Sequence, residues 1–259
     1  MRAGRHAIIT AVTLRLLSYN IWYGGKDRLP AILDVIREKQ PDVVALQEAN
    51  SRPNAERLAD ALGMQLVYGE ANSPFAVAWL SRLPIVSSQN HRLPLLAKTL
   101  LQVEVAWEGA PLHLFGTHLV AGRTEQDGAL RAEEARAIVA EIGKLGQAGI
   151  GPRLLVGDFN ALHPDDGVAE LPDGAATEFL ARRPIAHLLE AGYVDSYRHL
   201  HPDAAHSPGY TYAASHPWVR IDFIFASMDL AGRLRRCEVV TSPPAAHASD
   251  HLPVLAVLE

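Results

Sequence analysis

Short apolar runs that each end in one chemically active residue recur along this chain and constrain its fold more than any other feature. In Leu154-Leu155-Val156-Gly157-Asp158-Phe159-Asn160 the apolar run reads as a buried strand, and Asp158 and Asn160 leave its end together. Near the end of the chain the order reverses. Ser249-Asp250-His251 precedes the apolar run Leu252 to Leu258, so an acid and an imidazole enter a strand side by side. Asn20 closes the run that begins at Leu14, and Glu48 follows Val43 to Gln47. A rigid sheet that carries one active group at each of several strand ends can build a reaction centre.

The ordered set Tyr19-Asn20, Gln47-Glu48, Gly116-Thr117-His118, Gly157-Asp158-Phe159-Asn160, Arg220-Ile221-Asp222-Phe223-Ile224 and Ser249-Asp250-His251 resembles the endonuclease/exonuclease/phosphatase superfamily. Each string alone recurs by chance, but six in order across nearly the whole chain are a joint signal. The resemblance implies an α/β fold, a four-layered sandwich of two mixed β-sheets packed face to face with helices outside, and a metal-dependent phosphoric ester hydrolase. Strand, helix and hairpin signals alternate in a way that fits such layers.

A length of 259 residues allows one or two domains. The site strings come from both ends of the sequence, so the expectation is one catalytic domain over residues 1–259. A formal charge of −5 and the lack of a lysine or arginine run argue against tight, non-specific duplex binding, although Arg82, Arg123 and Arg220 are candidates for a local basic patch. The single cysteine, Cys237, excludes an internal disulfide and reads as an apolar filler in a strand over 235–240. The first thirteen residues read as a cytoplasmic start, since Arg15 interrupts the apolar stretch before any cleavage pattern. No apolar run reaches the ~18 residues of a membrane span, and no obligate protein partner is legible.

Along the chain, the pattern predicts a helix capped by Asp27 with Pro30 in its first turn, a helix over Ala55 to Leu62 closed by Gly63, and extended segments Gln65 to Tyr68, Phe75 to Leu80 and Ile85 to Ser88. Leu101 to Trp107 alternates almost strictly and turns through Glu108-Gly109 into Leu112 to Gly116, a hairpin. A long helix follows Thr124 and ends near Gly146 and Gly149. Between Ala161 and Pro217 prolines and glycines loosen the pattern, leaving a helix over Glu178 to Leu189.

Glu48, Asp158, Asp222 and Asp250 converge on one rim if they lie at strand ends, and they would repel one another there. A divalent cation removes that cost, and an all-oxygen set suits Mg²⁺, with Mn²⁺ as substitute, rather than zinc. Carried over residue by residue, the resemblance implies that Glu48 is the principal metal ligand with Asn20 beside it, while Asp250 holds a second metal or a metal-bound water. Asp158 orients or deprotonates the attacking water, and Asn160 holds the nucleophile or a phosphate oxygen. Asp222 pairs with His251 so that an imidazolium faces the phosphate, and His118 donates to another oxygen. The implied reaction is hydrolysis of a phosphodiester in a nucleic acid, nucleotide or lipid headgroup. A phosphomonoesterase on nucleotides or inositol phosphates is the alternative within this chemistry, and a catalytically silent binding module the alternative outside it.

The sequence also departs from the nuclease pattern. Ser73-Pro74-Phe75-Ala76-Val77 lacks the glutamate that nucleases of the deoxyribonuclease I type pair with the histidine matched by His118, and Ala49-Asn50 follows Glu48 where those nucleases carry arginine. The strand ending at Arg82 is closer to the sphingomyelinase-like branch. Trp22, Tyr23, Tyr212 and Trp218 are expected near the rim, as stacking groups or as loop packing. The other readings stay open: Asp158 and Asn160 as an Asx-turn pair, Asn20 as a turn residue, His251 as a surface imidazole. His163, His187, His199, His201, His206, His216 and His247 have no assigned role.

Overall fold

The computed structural model describes residues 12–122, 124–147, 151–169 and 181–259. The candidate-patch residue Arg123, the loop glycine Gly149, most of the N-terminal start and the first residues of the helix expected from Glu178 lie outside them.

The chain runs β1 (Leu14–Asn20), a 3-10 turn (Tyr23–Arg28), α1 (Leu29–Lys39), β2 (Val43–Gln47), α2 (Arg52–Leu62), β3 (Gln65–Gly69), β4 (Val77–Ser81), β5 (Ile85–His91), β6 (Leu100–Trp107) and β7 (Ala110–His118). It continues through α3 (Glu125–Gln147), β8 (Arg153–Asp158), α4 (Arg183–Glu190), β9 (Tyr193–Asp195), α5 (Ser196–Leu200), β10 (Asp222–Ser227), α6 (Met228–Ala231), β11 (Leu234–Val239), α7 (Ala245–Ala248) and β12 (Val254–Leu258). The strands form two six-stranded mixed sheets, ordered β11-β12-β1-β2-β4-β3 and β5-β6-β7-β8-β10-β9.

Strand alternation sets the layers. Leu14, Leu16, Val43, Ala45 and Trp79 of the first sheet meet Val103, Leu114, Leu154, Val156 and Ile224 of the second in the central core. The intervening Leu17, Tyr19, Val44 and Leu46 turn outward and are covered by Ile32, Val35 and Ile36 of α1 and Leu58 of α2. On the far side, Phe115, Leu155, Phe223 and Phe225 pack under Ile138 and Ile142 of α3 and Ile185 and Leu188 of α4. This is the expected four-layered α/β sandwich. Each central strand is apolar on both faces, which is why these segments read as continuous apolar runs rather than alternating ones.

Several expected boundaries shift. Asp27 does not cap α1: it sits in the 3-10 turn, and the N-cap position is Arg28 without a side-chain bond, while Pro30 does occupy the first turn. The second helix starts at Arg52, three residues before the apolar periodicity, because Ser51 accepts from Asn54 N and Pro53 fits the first turn. The helix expected from Glu178 begins at Arg183, with Pro184 in its first turn rather than its interior. The hairpin holds, with Glu108 and Gly109 both at positive φ in a two-residue turn. The loose region also contains β9 and α5, which are too short for periodicity to reveal.

Candidate active site

Register places the site before any side chain is considered. β7 and β8 run parallel with His118 opposite Asp158, and β8 and β10 run antiparallel with Asp222 opposite Asp158, so His118, Asp158 and Asp222 form one row across the second sheet. In the first sheet the end of β1 pairs Asn20 with Gln47, which delivers Glu48 next in the chain. Close strand approach at this end requires glycine at Gly157: φ is +151°, and a Cβ there would lie 1.9 Å from the Thr117 carbonyl oxygen.

Asn20 joins the two sheets. It is buried, and its Nδ2 donates to Asp158 Oδ2 at 3.0 Å and to Glu48 Oε1 at 3.4 Å, while its Oδ1 accepts from Trp22 N at 3.0 Å. Asp158 Oδ2 also lies 3.2 Å from His118 Nε2 and 3.8 Å from His251 Nε2, and its Oδ1 accepts from Asn160 N at 2.9 Å. That last bond is the Asx turn considered for this pair. It coexists with the site and fixes Asn160 at φ +47°. Asn160 Nδ2 donates to Leu119 O at 3.1 Å. The C-terminal string is tied in through Ser249 Oγ, which donates to Asn20 O at 2.6 Å. His251 Nδ1 meets Asp222 Oδ2 at 2.9 Å, so His251 is a buried, paired residue and not a surface imidazole.

These groups face a cavity of about 650 Å³ whose lining includes Glu48, His118, Asp158, Asn160, Asp250 and His251. The expectation that four carboxylates share the rim needs one correction. Asp222 is 2% exposed and stands behind His251 rather than on the cavity wall. The histidines without assigned roles lie away from it; among the described residues the lining histidines are His118 and His251.

Electrostatics divides the row. Burial disfavours a charged His251, but Asp222 and Asp158 more than offset it and hold the imidazole up at about 10, a cation at neutral pH. Burial and then the neighbouring Lys98 and His251 push His118 well below the usual histidine range, so it is neutral. Burial raises the Asp158 carboxyl, and burial with the nearby Glu48 raises Asp250. His118 Nδ1 has no hydrogen-bond partner among the described residues. Phe75 stands edge-on to the ring at 6.3 Å, in the stretch where the sequence lacks the glutamate.

Sequence reasoning missed Lys98. Its buried ammonium lines the cavity, donates to Leu119 O at 2.6 Å and lies 5.5 Å from the Phe75 ring centre. Burial lowers it to about 8, with Asp158, Glu134 and Glu48 acting in the opposite sense. The available signal was a lone cation in the apolar stretch Leu95-Leu96-Ala97-Lys98-Thr99-Leu100-Leu101.

Two other expectations fail. Trp218 is 5% exposed and packs with Leu162, Val219 and Ile221 instead of lining the rim, whereas Trp22, Tyr23 and Tyr212 do line it. The basic patch does not form from Arg220, which is buried against Asp166 and Asp195, or from Arg82, which is spent on the carbonyls of Pro41 and Leu62. Cys237 is buried in β11, and burial raises its thiol, as suits a filler. Among the described residues no helix is long and apolar enough to cross a membrane.

The donor set fits a hard divalent cation. Glu48 and Asp250 bring carboxylate oxygens to the cavity, where burial and then Glu48 raise the Asp250 carboxyl. Asn20 turns its amide nitrogen to Glu48 and gives its oxygen to Trp22 N, so it would serve a cation through Oδ1 only after turning. A tighter trio, Asp158, Asp222 and His251, has ligand-type atoms within 4.8 Å of one another. Within it Asp222 meets His251 Nδ1 and Asp158 faces its Nε2, and these carboxylates favour the imidazolium, so a cation held by this trio would compete with the proton on His251.

Comparison with solved structures gives the same frame. An AP endonuclease from Archaeoglobus fulgidus superposes with a TM-score of 0.78 at 22% identity, over 95% of this chain and 99% of that one. A 3′ phosphatase NExo from Neisseria bound to product DNA hairpin gives 0.75 at 21% identity over 95% and 99%. An endonuclease/exonuclease/phosphatase from Beutenbergia cavernae DSM 12333 gives 0.74 at 23% over 95% and 71%. No curated protein matches the chain significantly in sequence. The model of the Endonuclease/Exonuclease/phosphatase family matches residues 17–251, from the first site strand through His251, and the chain therefore belongs to that family of metal-dependent phosphoesterases and is an enzyme of that kind.

Proposed function

We propose that this chain is a Mg²⁺-dependent phosphodiester hydrolase, with Mn²⁺ able to substitute, acting as one catalytic domain to which both ends of the sequence contribute. The observation that carries this reading is the position of Asp158. One carboxylate oxygen is held between Asn20 from the other sheet and His118 beside it, at the wall of the cavity.

Glu48, Asn20 and Asp250 are the residues that would hold the cation, which when bound polarises the phosphoryl group and neutralises developing charge. Asp158 orients the attacking water and accepts its proton, a task suited to a carboxyl whose proton affinity burial has raised. Asn160 holds the nucleophile or a phosphate oxygen. Asp222 fixes His251 through Nδ1, leaving the Nε2–H of an imidazolium toward the phosphate. At the opposite wall the positive charge comes from Lys98, while neutral His118 contributes a hydrogen bond. This divides between two residues the role that the resemblance gives to His118 alone, and it fits a His118 that has Asp158 at Nε2 but Phe75 in the stretch where the nuclease pattern carries glutamate.

Purified protein should cleave bis-p-nitrophenyl phosphate with Mg²⁺ or Mn²⁺ and lose that activity in EDTA; turnover that survives metal removal would overturn the mechanism. A phosphomonoesterase is the second reading, supported by the Neisseria 3′ phosphatase on the same fold. Comparing kcat/KM across paired mono- and diesters separates the two.

A further inference from the structure

Trp22 and Tyr23 are large, exposed at 40% and 58%, and adjacent to the site. Both hold positive φ, at 48° and 50°, which aromatic residues adopt only under constraint. The constraint comes from the candidate metal ligands. Trp22 N donates to Asn20 Oδ1 at 3.0 Å, and Tyr23 N donates to Glu48 Oε2 at 2.9 Å. The two rings are thereby registered to the reaction centre. They continue inward as a row, with ring centres 6.3 Å from Trp22 to Tyr23, 5.9 Å from Tyr23 to Phe75 and 6.3 Å from Phe75 to His118.

Such a row can accept a flat neutral ring by stacking or a quaternary ammonium by cation–π contact. The neighbours decide between them. The Arg28 guanidinium lies 4.6 Å over the Trp22 ring and is anchored by a bond to Ala248 O, and the Lys98 ammonium lies 5.5 Å from the Phe75 ring. Cations of this chain already occupy aromatic faces at both ends, so a choline headgroup would meet like charge while a nucleobase would not. We propose that Trp22 and Tyr23 form a stacking shelf for a nucleobase carried by the phosphoester substrate, next to the phosphate. This rests on the phosphoesterase reading and narrows its substrates to nucleotides and nucleic-acid ends.

The test compares ligands that differ only in the base. Affinities of thymidine 5′-monophosphate and 2-deoxyribose 5-phosphate are measured by calorimetry with Mg²⁺ in the full chain carrying Asp158→Asn, where turnover is slow. The nucleotide should bind on the order of 10-fold to 100-fold more tightly. Trp22→Asn and Tyr23→Asn, chosen because asparagine tolerates left-handed backbone, should each collapse that ratio toward one, and Tyr23→Phe should keep it. Reading a ratio within each variant cancels any general loss. Equal affinities in the parent, or a ratio that survives both asparagine variants, overturns the shelf, as does tighter binding of phosphocholine than of the nucleotide. If no phosphoester is hydrolysed yet the ratio behaves as stated, the catalytic reading fails and the shelf stands.

Discussion

Arg220 and Asp222, separated by Ile221, belong to two buried polar clusters that differ in charge balance. In the first, each Asp166 oxygen faces a guanidinium, Oδ1 with Arg198 at 2.6 Å and Oδ2 with Arg220 at 2.7 Å. Arg220 also contacts Asp195 at 2.7 Å, as an ion pair whose angle lies outside hydrogen-bond geometry. Burial pushes Asp195 up, and Arg220 more than offsets it and leaves the carboxyl below its usual range. Two acids and two bases cancel. In the second cluster Glu48, Asp158, Asp222 and Asp250 face the cations His251 and Lys98, and the carboxyls of Asp158 and Asp250 are raised. A balanced cluster holds segments together, whereas an unbalanced one stores affinity for an added cation and its phosphate.

The sharpest break of that contrast is Asp158→Asn. It should lower kcat by on the order of 10³ or more, because general-base catalysis contributes about 10²–10⁴ and this residue also orients the water. Circular dichroism should not change. A loss under about tenfold would remove Asp158 from the role of base.

Asp166→Asn makes the opposite trade. It takes the carboxylate from buried Arg198 and one of two from buried Arg220, and should cost about 3–5 kcal/mol in urea unfolding, while kcat of the folded enzyme stays close to wild type. A stable variant with impaired kcat would show that the balanced cluster also serves the chemistry.

Within the unbalanced cluster, Asp222→Asn and His251→Ala should each reduce kcat/KM by on the order of 10² or more, and the double variant should lose little beyond the worse single one, since both disable the same cation. A double loss equal to the product of the singles would mean that the 2.9 Å pair does not work as a unit.

The smallest effect concerns stability. Without divalent metal, Asp250→Asn should raise unfolding free energy by on the order of 1 kcal/mol, because it removes one like charge from beside Glu48. Adding Mg²⁺ should stabilise wild type more than this variant in a thermal melt. Equal Mg²⁺ responses would take Asp250 out of the metal set.

How much of this was legible depends on what each residue needs. Asn20, Asp158 and Asp222 are terminal strand residues and Glu48 follows one, and a strand end is a local event marked where an apolar run starts or stops. Asp250 and His251 were expected to enter the last strand directly, but β12 starts only at Val254 and His251 is held by an isolated bridge to Tyr212. Lys98 and Phe75 carry no such mark. Both lie in loops, and their meeting with His118 depends on how β4, β6 and β7 are set in two different sheets. Arg220 shows the same limit from the other side. At the head of a site string it read as a candidate for a local basic patch, yet its partners Asp166 and Asp195 come from the loose region, where sequence periodicity is silent.

The sequence by itself determined the layers and the row of polar strand ends, since apolar runs must be buried and hydrogen-bonded strands deliver their last residues to one edge. Tertiary structure alone decided the charge of each group. Both imidazoles are buried beside Asp158, but His251 also has Asp222 at Nδ1 and is held up as a cation, whereas burial and the neighbouring cations Lys98 and His251 push His118 down, and proton affinity is set by neighbours in space whatever their distance along the chain.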